Sequence, residues 1–149
     1  MKRIAAVLLA AVLCQPAAHA VEVAALPTSP ADDAQIDRLI DPFLAALKSG
    51  RTKQAVADYM GTNALLKAKV TELDYVAVQA DATIAAYGPI ANCQLAEKTG
   101  KGSWTQTRLY LCQHEKYVTR WIFSVIKLPS GWQAATFRFD DKFTLDASQ

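Results

Sequence analysis

Apolar residues recur at helical spacing in the first part of the chain. They fall on one side of a helix, in the order Ile36, Leu39, Ile40, Phe43, Leu44 and Leu47. Ser29 and Pro30 are typical of a helix start, because a serine hydroxyl accepts hydrogen bonds from free backbone N–H groups and proline fits the first turn. Pro42 interrupts the pattern, so we expect either a kinked helix or a restart capped by Asp41, with an end near Gly50.

Two further helices are predicted before the pattern changes. The first is short, stops at Gly61, and is followed by a brief turn that Thr62 or Asn63 caps. The second is longer and opens at Thr71. It ends at Gly88, because glycine tolerates the left-handed backbone that terminates helices and a proline follows it directly.

After residue 90 the apolar residues follow the alternation of β-strands. We expect four strands, over residues 90–98, 104–114, 117–128 and 132–139. The connections between them are short, which makes neighbouring strands antiparallel. Helices followed by such a meander predict an α+β fold, in which N-terminal helices pack on one face of a curved antiparallel sheet of about four strands.

The loop between the first two strands fixes the pairing of two cysteines. A hairpin centred near Lys101 and Gly102 places Cys93 directly opposite Cys112. Opposed positions on neighbouring strands are close enough for a disulfide bond, and nothing near either residue lowers the pKa of its thiol visibly. The sequence therefore predicts one structural disulfide, Cys93–Cys112.

The N-terminal residues have the three parts of a secretory signal. Lys2 and Arg3 form a positive start, an apolar run of about ten residues follows, and Ala18-His19-Ala20 is a cleavage site. We expect cleavage near Ala20, a mature chain that begins at Val21, and a periplasmic or secreted protein. The alternative is a lipid anchor on Cys14.

This division gives the domain organisation. Residues 1–20 are the predicted signal peptide, residues 21–29 a flexible leader, and residues 30–149 a single α+β domain. No membrane span is expected in the mature chain, because no other stretch approaches 18 consecutive apolar residues.

Charge and composition limit the partners. Removing Lys2 and Arg3 lowers the 16 basic residues to 14, equal to the 14 acidic residues. A mature chain without net charge has no electrostatic reason to bind nucleic acid. The remaining histidine, His114, has no closely spaced cysteine pair beside it, and phosphate-binding glycine loops are absent from the sequence. We therefore predict no cofactor and no metal site.

The order of elements resembles a known superfamily. Three helices that end in Tyr87-Gly88-Pro89-Ile90, four antiparallel strands, and a Gly131-Trp132 pair at the last strand resemble exported NTF2-like domains of unknown function, which have the cystatin-like α+β fold. The resemblance covers residues 30–143 and implies an enzyme, a binding module or an assembly subunit. The carboxylate and histidine positions of steroid-isomerase-like or dehydratase-like sites have no counterpart within the strands of this chain.

Alternation along the strands defines a candidate ligand or partner surface. Arg108, Tyr110, Trp121 and Phe123 share one face of the sheet with Cys112, Thr119, Phe137 and Phe139. Core packing is the competing interpretation of this aromatic row, and an inward Arg108 would bind an anionic ligand or partner. The opposite face carries Leu109, Leu111, Val118, Ile122, Ser124 and Ile126, and it requires cover by a ligand, a partner subunit or the leader.

Solvation is predicted for the remaining polar residues and, as the alternative to an inward orientation, for Arg108. His114 is placed at a hairpin tip, Arg108 and Arg120 at strand edges, and Asp140 and Asp141 at an exposed chain end.

These observations favour an exported, non-enzymatic NTF2-like module that binds a small apolar or acidic molecule or a protein partner. The alternatives are an isomerase-type or dehydratase-type enzyme with an unrecognised site, and a homodimeric assembly subunit.

Overall fold

The computed structural model describes residues 29–142, and the predicted signal peptide and most of the leader lie outside this range. Four helices come first: α1 (Pro30–Lys48), α2 (Thr52–Gly61), α3 (Ala64–Lys67) and α4 (Val70–Tyr87). Four strands follow: β1 (Ile90–Lys101), β2 (Thr105–His114), β3 (Val118–Leu128) and β4 (Gly131–Asp140). This order confirms the predicted α+β class.

Helix α1 runs through Pro42 without a break, so the predicted restart at Asp41 is wrong. Its start is as expected: the Ser29 hydroxyl accepts a hydrogen bond from the backbone N–H of Asp32 at 3.1 Å. Apolar residues before and after Pro42 are buried on the same side of the helix. Packing of the buried residues from Ile36 to Leu47 therefore holds the helix together where proline removes one backbone hydrogen bond.

The short helices connect α1 to α4 around capping side chains. The Asn63 carboxamide accepts from the backbone N–H of Leu65 at 3.0 Å and begins α3. Helix α4 begins at Val70, one residue earlier than the sequence indicated, and ends at Gly88, whose φ of +87° is the positive value that favours glycine. A side chain at Gly88 would also approach Glu115 to 2.8 Å.

The strands form one antiparallel sheet in the order β1-β2-β3-β4. Strand β1 extends to Lys101, so the loop predicted after residue 98 belongs in part to the hairpin. Cys93 is paired with Cys112 in the register, their Cα atoms lie 4.0 Å apart, and their sulfur atoms are bonded. The disulfide is thus confirmed, and the predicted register holds from Asn92 to Leu95, whereas from Glu97 to Lys101 the pairing is shifted by one residue.

All helices lie on one side of the sheet, which we call the inner face. The inner-face core consists of buried residues of α1, α2 and α4 packed on alternate residues of the strands. The other side, the outer face, is not covered by any element within residues 29–142. None of the helices in this range combines the length and the hydrophobicity that crossing a membrane requires.

One edge of the sheet is protected by the turn before α3. The Thr62 hydroxyl accepts from the backbone N–H of Ala134 at 3.0 Å, and the Asn63 amide donates to the Ala134 carbonyl at 3.0 Å. These two side chains occupy the backbone groups that a further strand would use. Strand β4 is therefore closed to strand addition at this position.

Candidate functional site

The four residues predicted to form the ligand or partner surface lie together on the inner face. Arg108 is directly opposite Phe123, and Tyr110 is directly opposite Trp121, on strands β2 and β3. Arg108, Trp121 and Phe123 have no exposed surface, and Tyr110 is 6% exposed. Their role in binding stays a prediction, and a ligand would reach them only if α1 moved away from the sheet.

Aromatic side chains fill the space between α1 and the sheet. Phe43 of α1 makes edge-to-face contacts with Tyr59, Trp121, Phe123 and Phe137, at ring-centre distances of 5.7, 5.9, 5.0 and 5.1 Å. These rings pack at the distances at which aromatic pairs attract each other. The inner face is thus covered by a packed aromatic cluster centred on Phe43.

Arg108 is an internal ion-pair residue, so its prediction as a solvated edge residue is wrong. Its Nε atom donates to Gln106 at 2.9 Å, Nη2 donates to the Asp33 carboxylate at 2.7 Å, and Nη1 donates to the Asp37 carboxylate. Asp33 and Asp37 are one turn apart on α1 and are only partly buried. A buried guanidinium requires such partners, and here they join α1 to β2.

His114 is buried, so its prediction as a solvated turn residue is also wrong. Its Nδ1 atom lies 2.7 Å from the Gly88 carbonyl, and its Nε2 atom lies 2.9 Å from the Thr119 hydroxyl. Because a carbonyl only accepts, Nδ1 is the donor and Nε2 of the neutral ring accepts from Thr119. The Thr119 hydroxyl in turn accepts from Trp121 Nε1 at 2.9 Å. The helix end before β1 and the sheet core therefore share one hydrogen-bond chain.

Two ionisable groups beside Arg108 have raised pKa values. Burial is the main cause for the hydroxyl of Tyr110, and hydrogen bonding to Arg108 opposes it. The pKa of Asp41 is raised by desolvation and then by the charge of Asp37, one turn earlier on α1. In both cases burial favours the protonated form, and the positive charge of Arg108 opposes that shift.

Arg120 also differs from its expected environment. Its Nε and Nη2 atoms donate to the two carboxylate oxygens of Asp140 at 2.7 and 2.9 Å. This bidentate pair holds the pKa of Asp140 below its usual value. Asp141 accepts a hydrogen bond from the Tyr87 hydroxyl. The prediction of an exposed charge is therefore wrong for Asp140, which is half-buried, whereas Asp141 is exposed as predicted.

The outer face carries an ordered row of four side chains across the sheet. Glu97 pairs with Leu109, Leu109 with Ile122, and Ile122 with Arg138. An acid, two aliphatic residues and a base thus lie side by side on β1 to β4. Ile122 is 8% exposed, Leu109 is half-buried, and both charged residues are exposed.

Three cavities elsewhere on the surface are formed by other residues. One of about 240 Å³ lies between α2, α3 and α4 and is lined by Lys53, Val56, Ala57, Lys67, Leu73 and Asp74. One of about 220 Å³ lies on the outer face and is lined by Asn92, Gln94, Leu111, Gln113 and Val118. A wider, open depression of about 810 Å³ lies along α2. None of the three is lined by the four predicted inner-face residues.

Metal ligation finds no support in this geometry. Among the side chains of residues 29–142, no group of three or more His, Cys, Asp or Glu residues is placed to hold an ion. Three acidic residues of α1 form ion pairs instead: Asp33 and Asp37 with Arg108, Asp33 also with Lys98, and Asp32 with Lys127.

Comparison with solved structures identifies the fold. A Campylobacter jejuni protein, provisionally described as an NTF2-like transpeptidase and solved at 2.00 Å, is similar over 66% of this chain and 95% of its own, with a TM-score of 0.51 and 19% sequence identity. The fold is NTF2-like. No protein-family model and no curated protein matches the chain. At this identity the likeness shows the NTF2-like fold alone, and it carries no activity with it.

Two sets of important residues were missed at the sequence level. Asp33 and Asp37 are spaced by four residues, which places them on one side of α1, and this spacing was the available signal for a buried cation opposite them. Glu97 gave no usable signal, because an unbroken hairpin register pairs it with Arg108 on the inner face. A β-bulge between Leu95 and Glu97 shifts the register and moves Glu97 to the outer face.

Proposed function

We propose that this protein is an exported, non-enzymatic NTF2-like module that binds a protein partner through the outer face of its sheet. The observation that carries the proposal is the difference between the two faces. The inner face is filled by the aromatic cluster around Phe43, whereas the outer face has no covering element in residues 29–142 and carries the half-buried Leu109 beside Ile122, which is 8% exposed.

The state of the polar inner-face groups supports a binding role over catalysis. Arg108 is held by two carboxylates, and both ring nitrogens of His114 are engaged with Gly88 and Thr119. A general acid, a general base or an anion-binding group must be able to reach a substrate. In this structure the same groups join α1 to β2 and α4 to the sheet.

Export is supported by the disulfide. The Cys93–Cys112 bond persists in an oxidising compartment, and disulfides are rare in the cytosol. Together with the N-terminal sequence it favours a periplasmic or secreted protein that begins at Val21. A lipid anchor on Cys14 would keep the same domain at a membrane surface.

A small acidic amphiphile is a second candidate partner, favoured by the cavity between α2, α3 and α4. Val56 and Leu73 give this cavity an apolar floor, and Lys67 is exposed at its rim. Lys53 is held by Asp74 at 3.0 Å, which leaves Lys67 as the lysine that would bind an acidic headgroup. Its volume of about 240 Å³ lies below the roughly 300–1,000 Å³ of most small-molecule sites. The test is native mass spectrometry of the purified protein. A bound small molecule of constant mass that is present in the wild type and in Lys48→Glu but absent from Lys67→Glu would support this candidate.

A direct role of Arg108, Tyr110, Trp121 and Phe123 in binding is tested separately. The variant Trp121→Phe removes the indole N–H and keeps most of the side-chain volume. If the four residues line a ligand site that becomes accessible when α1 moves away from the sheet, this variant should change the molecule that co-purifies with the protein. If the four residues are only core, this variant loses stability and retains the wild-type bound species and mass.

The main test measures the mass of the native particle. The exported protein is purified from the cells that naturally produce it and is analysed by native mass spectrometry. Three forms are compared: the wild type, Leu109→Lys on the outer face, and Gln79→Lys at an exposed position of α4. We expect the wild type and Gln79→Lys to carry a protein partner and Leu109→Lys to be a single chain with an unchanged fold. A single-chain wild type, or a Leu109→Lys variant that keeps its partner, would overturn the proposal.

A further inference from the structure

We infer that one end of the sheet binds the surface of a phospholipid bilayer that contains anionic headgroups. This end, which we call the loop end, is formed by the β1–β2 loop (residues 102–104), the β3–β4 turn (residues 129–130) and the strand residues next to them. The inference concerns a second surface, so it does not rest on the proposed function of the outer face. It follows from an exposed tryptophan, the lysines near it and the place where the chain enters α1.

The two connections and the start of α1 lie side by side. The backbone N–H of Lys127 donates to the carbonyl of Trp104 at 2.8 Å, which joins the end of β3 to the β1–β2 loop. The side chains of Lys127 and Trp132 donate to the carboxylate of Asp32, in the first turn of α1, both at 2.7 Å. Three parts of the chain that are distant in sequence therefore meet at the loop end.

The loop end exposes a large aromatic side chain. Trp104 is 73% exposed, and Leu128, at the end of the neighbouring strand β3, is 41% exposed. An indole combines a large apolar surface with one N–H donor, and this combination favours the headgroup level of a bilayer, where one side is apolar and the other is wet. Trp104 is therefore placed to enter the headgroup layer without any change in the core.

The charges nearest to solvent at this end are positive. Lys101, at the end of β1, is exposed and forms no ion pair with another residue in the range 29–142. Lys98 and Lys127 are paired with Asp33 and Asp32, and in each pair the lysine is the more exposed side chain, at 39% against 28% and 40% against 17%. Lysines within about a Debye length of an anionic membrane surface are attracted to it. The local charge thus favours anionic lipid although the charges of the mature chain balance.

The chain enters the domain at the same end. Ser29 caps α1 through the backbone N–H of Asp32, and residues 1–28 precede it. That preceding segment holds the predicted export signal and Cys14, the alternative site of a lipid anchor. The end proposed to face the bilayer is therefore the end from which the predicted membrane-directed segment continues.

The apolar side chains exposed on α4 are less suited to an anionic bilayer. Tyr75 and Val78 are each 64% exposed. Helix α4 also carries Glu72, Asp74 and Asp81, and its sequence contains no lysine or arginine. Anionic lipids would repel these carboxylates. Tyr75 therefore provides a matched control for an exposed aromatic residue.

Contact through the loop end leaves the outer face free. The ends of the strands would meet the lipid, so the two faces of the sheet stand away from the bilayer plane. A protein partner on the outer face and a bilayer at the loop end can therefore be bound at the same time.

Tryptophan fluorescence with lipid vesicles tests the inference. The purified exported protein is titrated with vesicles of phosphatidylglycerol and phosphatidylcholine, and separately with vesicles of phosphatidylcholine alone. Because Trp121 and Trp132 are buried, a shift of the emission to shorter wavelength reports on Trp104. We expect this shift with the anionic vesicles, weaker binding at high salt, and quenching of the shifted emission by bromine-labelled lipids.

Co-sedimentation with the anionic vesicles compares the variants. We expect Trp104→Ser to raise the apparent dissociation constant at least tenfold and Lys101→Glu to raise it about threefold or more. Tyr75→Ser should bind as the wild type does. Intact mass establishes whether the exported protein carries an acyl chain, and if it does, all forms are compared in a Cys14→Ser background. Thermal midpoints equal to that of the wild type show that the variants are folded.

The contrary outcomes are equally specific. A wild type whose emission does not change with anionic vesicles, or a Trp104→Ser variant that binds as tightly as the wild type, would overturn the inference. Equal binding to the neutral vesicles would overturn the assignment of anionic lipid. Loss of binding in Tyr75→Ser alone would place the contact on α4 and refute the loop end. The outer-face partner is tested by Leu109→Lys, so these results leave the proposed function as it stands.

Discussion

The guanidinium of Arg108 has no exposed surface, and its Nη2 atom donates to the Oδ1 atom of Asp33 across 2.7 Å. Asp33 also accepts from Lys98 at 3.1 Å, and Asp37 provides a second carboxylate for Arg108. A charge inside a protein destabilises the fold strongly when its partner is removed, because it then remains buried without compensation. The first half of α1 is thus held on β2 by an internal ion pair as well as by apolar contacts.

Removing the carboxylates should therefore cost more than removing the arginine. We expect the double variant Asp33→Ala, Asp37→Ala to lower the free energy of unfolding by about 3–5 kcal/mol, the range for a buried charge that loses its partner. Arg108→Met should cost less, since it removes the charge and fills much of the same volume. Urea unfolding gives both values.

Asp81→Ala, at an exposed position on α4, is the control for loss of a surface carboxylate and should change stability by less than about 0.5 kcal/mol. An Arg108→Met variant as unstable as the double aspartate variant would contradict the prediction. Packing of the arginine stem, and not the paired charge, would then hold α1.

Acid should weaken the contact between Asp32 and the β3–β4 hairpin. The Asp32 carboxylate accepts from Lys127 and from the Trp132 indole, both at 2.7 Å, and these hydrogen bonds lower its pKa from 3.8 to about 2. Because the folded pKa is the lower one, the stabilisation is fully present above the unfolded pKa and is lost as the pH falls through about 2. We expect Asp32→Asn to lower the thermal midpoint at neutral pH and to flatten its decline in this acidic range.

The comparison for Asp32→Asn is Asp81→Asn, which should follow the wild-type pH curve. Thermal midpoints measured by circular dichroism from neutral pH down to acid decide the question. Parallel curves for wild type and Asp32→Asn would show that other carboxyl groups, such as Asp140, account for the acid sensitivity.

The disulfide should stabilise the β1–β2 hairpin. Its cysteines are 19 positions apart, and closing a loop of about this length contributes roughly 3 kcal/mol in the chain-entropy model. The double variant Cys93→Ala, Cys112→Ala should therefore unfold at a lower temperature. It should still carry the same bound partner as the wild type in native mass spectrometry. Intact-mass analysis of the exported protein should show two hydrogen atoms fewer than the reduced chain, and two free thiols would contradict the bond.

Thr119 should be more important for stability than its size implies. Its hydroxyl donates to His114 and accepts from Trp121, both inside the core. Thr119→Val keeps the shape and leaves the His114 Nε2 and Trp121 Nε1 atoms without this partner, at about 1–3 kcal/mol for each buried group. Thr107→Val, half-buried on the outer face, should be nearly neutral. Equal effects of the two variants would show that the hydrogen-bond chain contributes little.

The alternation of residues predicted which residues share a face, because this property depends only on local geometry. Arg108, Tyr110, Trp121 and Phe123 do lie together, and Cys93 is paired with Cys112 as predicted, although the bulge between Leu95 and Glu97 is needed for that pairing. The helix boundaries were also local, since Ser29 and Gly88 act on the backbone next to them. These features could be predicted without knowing what lies across the fold.

The partners of the polar residues depended on the tertiary structure. Whether His114 and Arg108 are solvated or buried is decided by α4 and α1, which reach them from distant parts of the chain. A single extra residue in β1, between Leu95 and Glu97, likewise turns Glu97 outward and places Lys98 beside Arg108. The sequence determined the elements and their faces, because these follow from short-range periodicity. Only the assembled fold decided the ion pairs and the outer row, because a one-residue shift in strand pairing reverses every face beyond it.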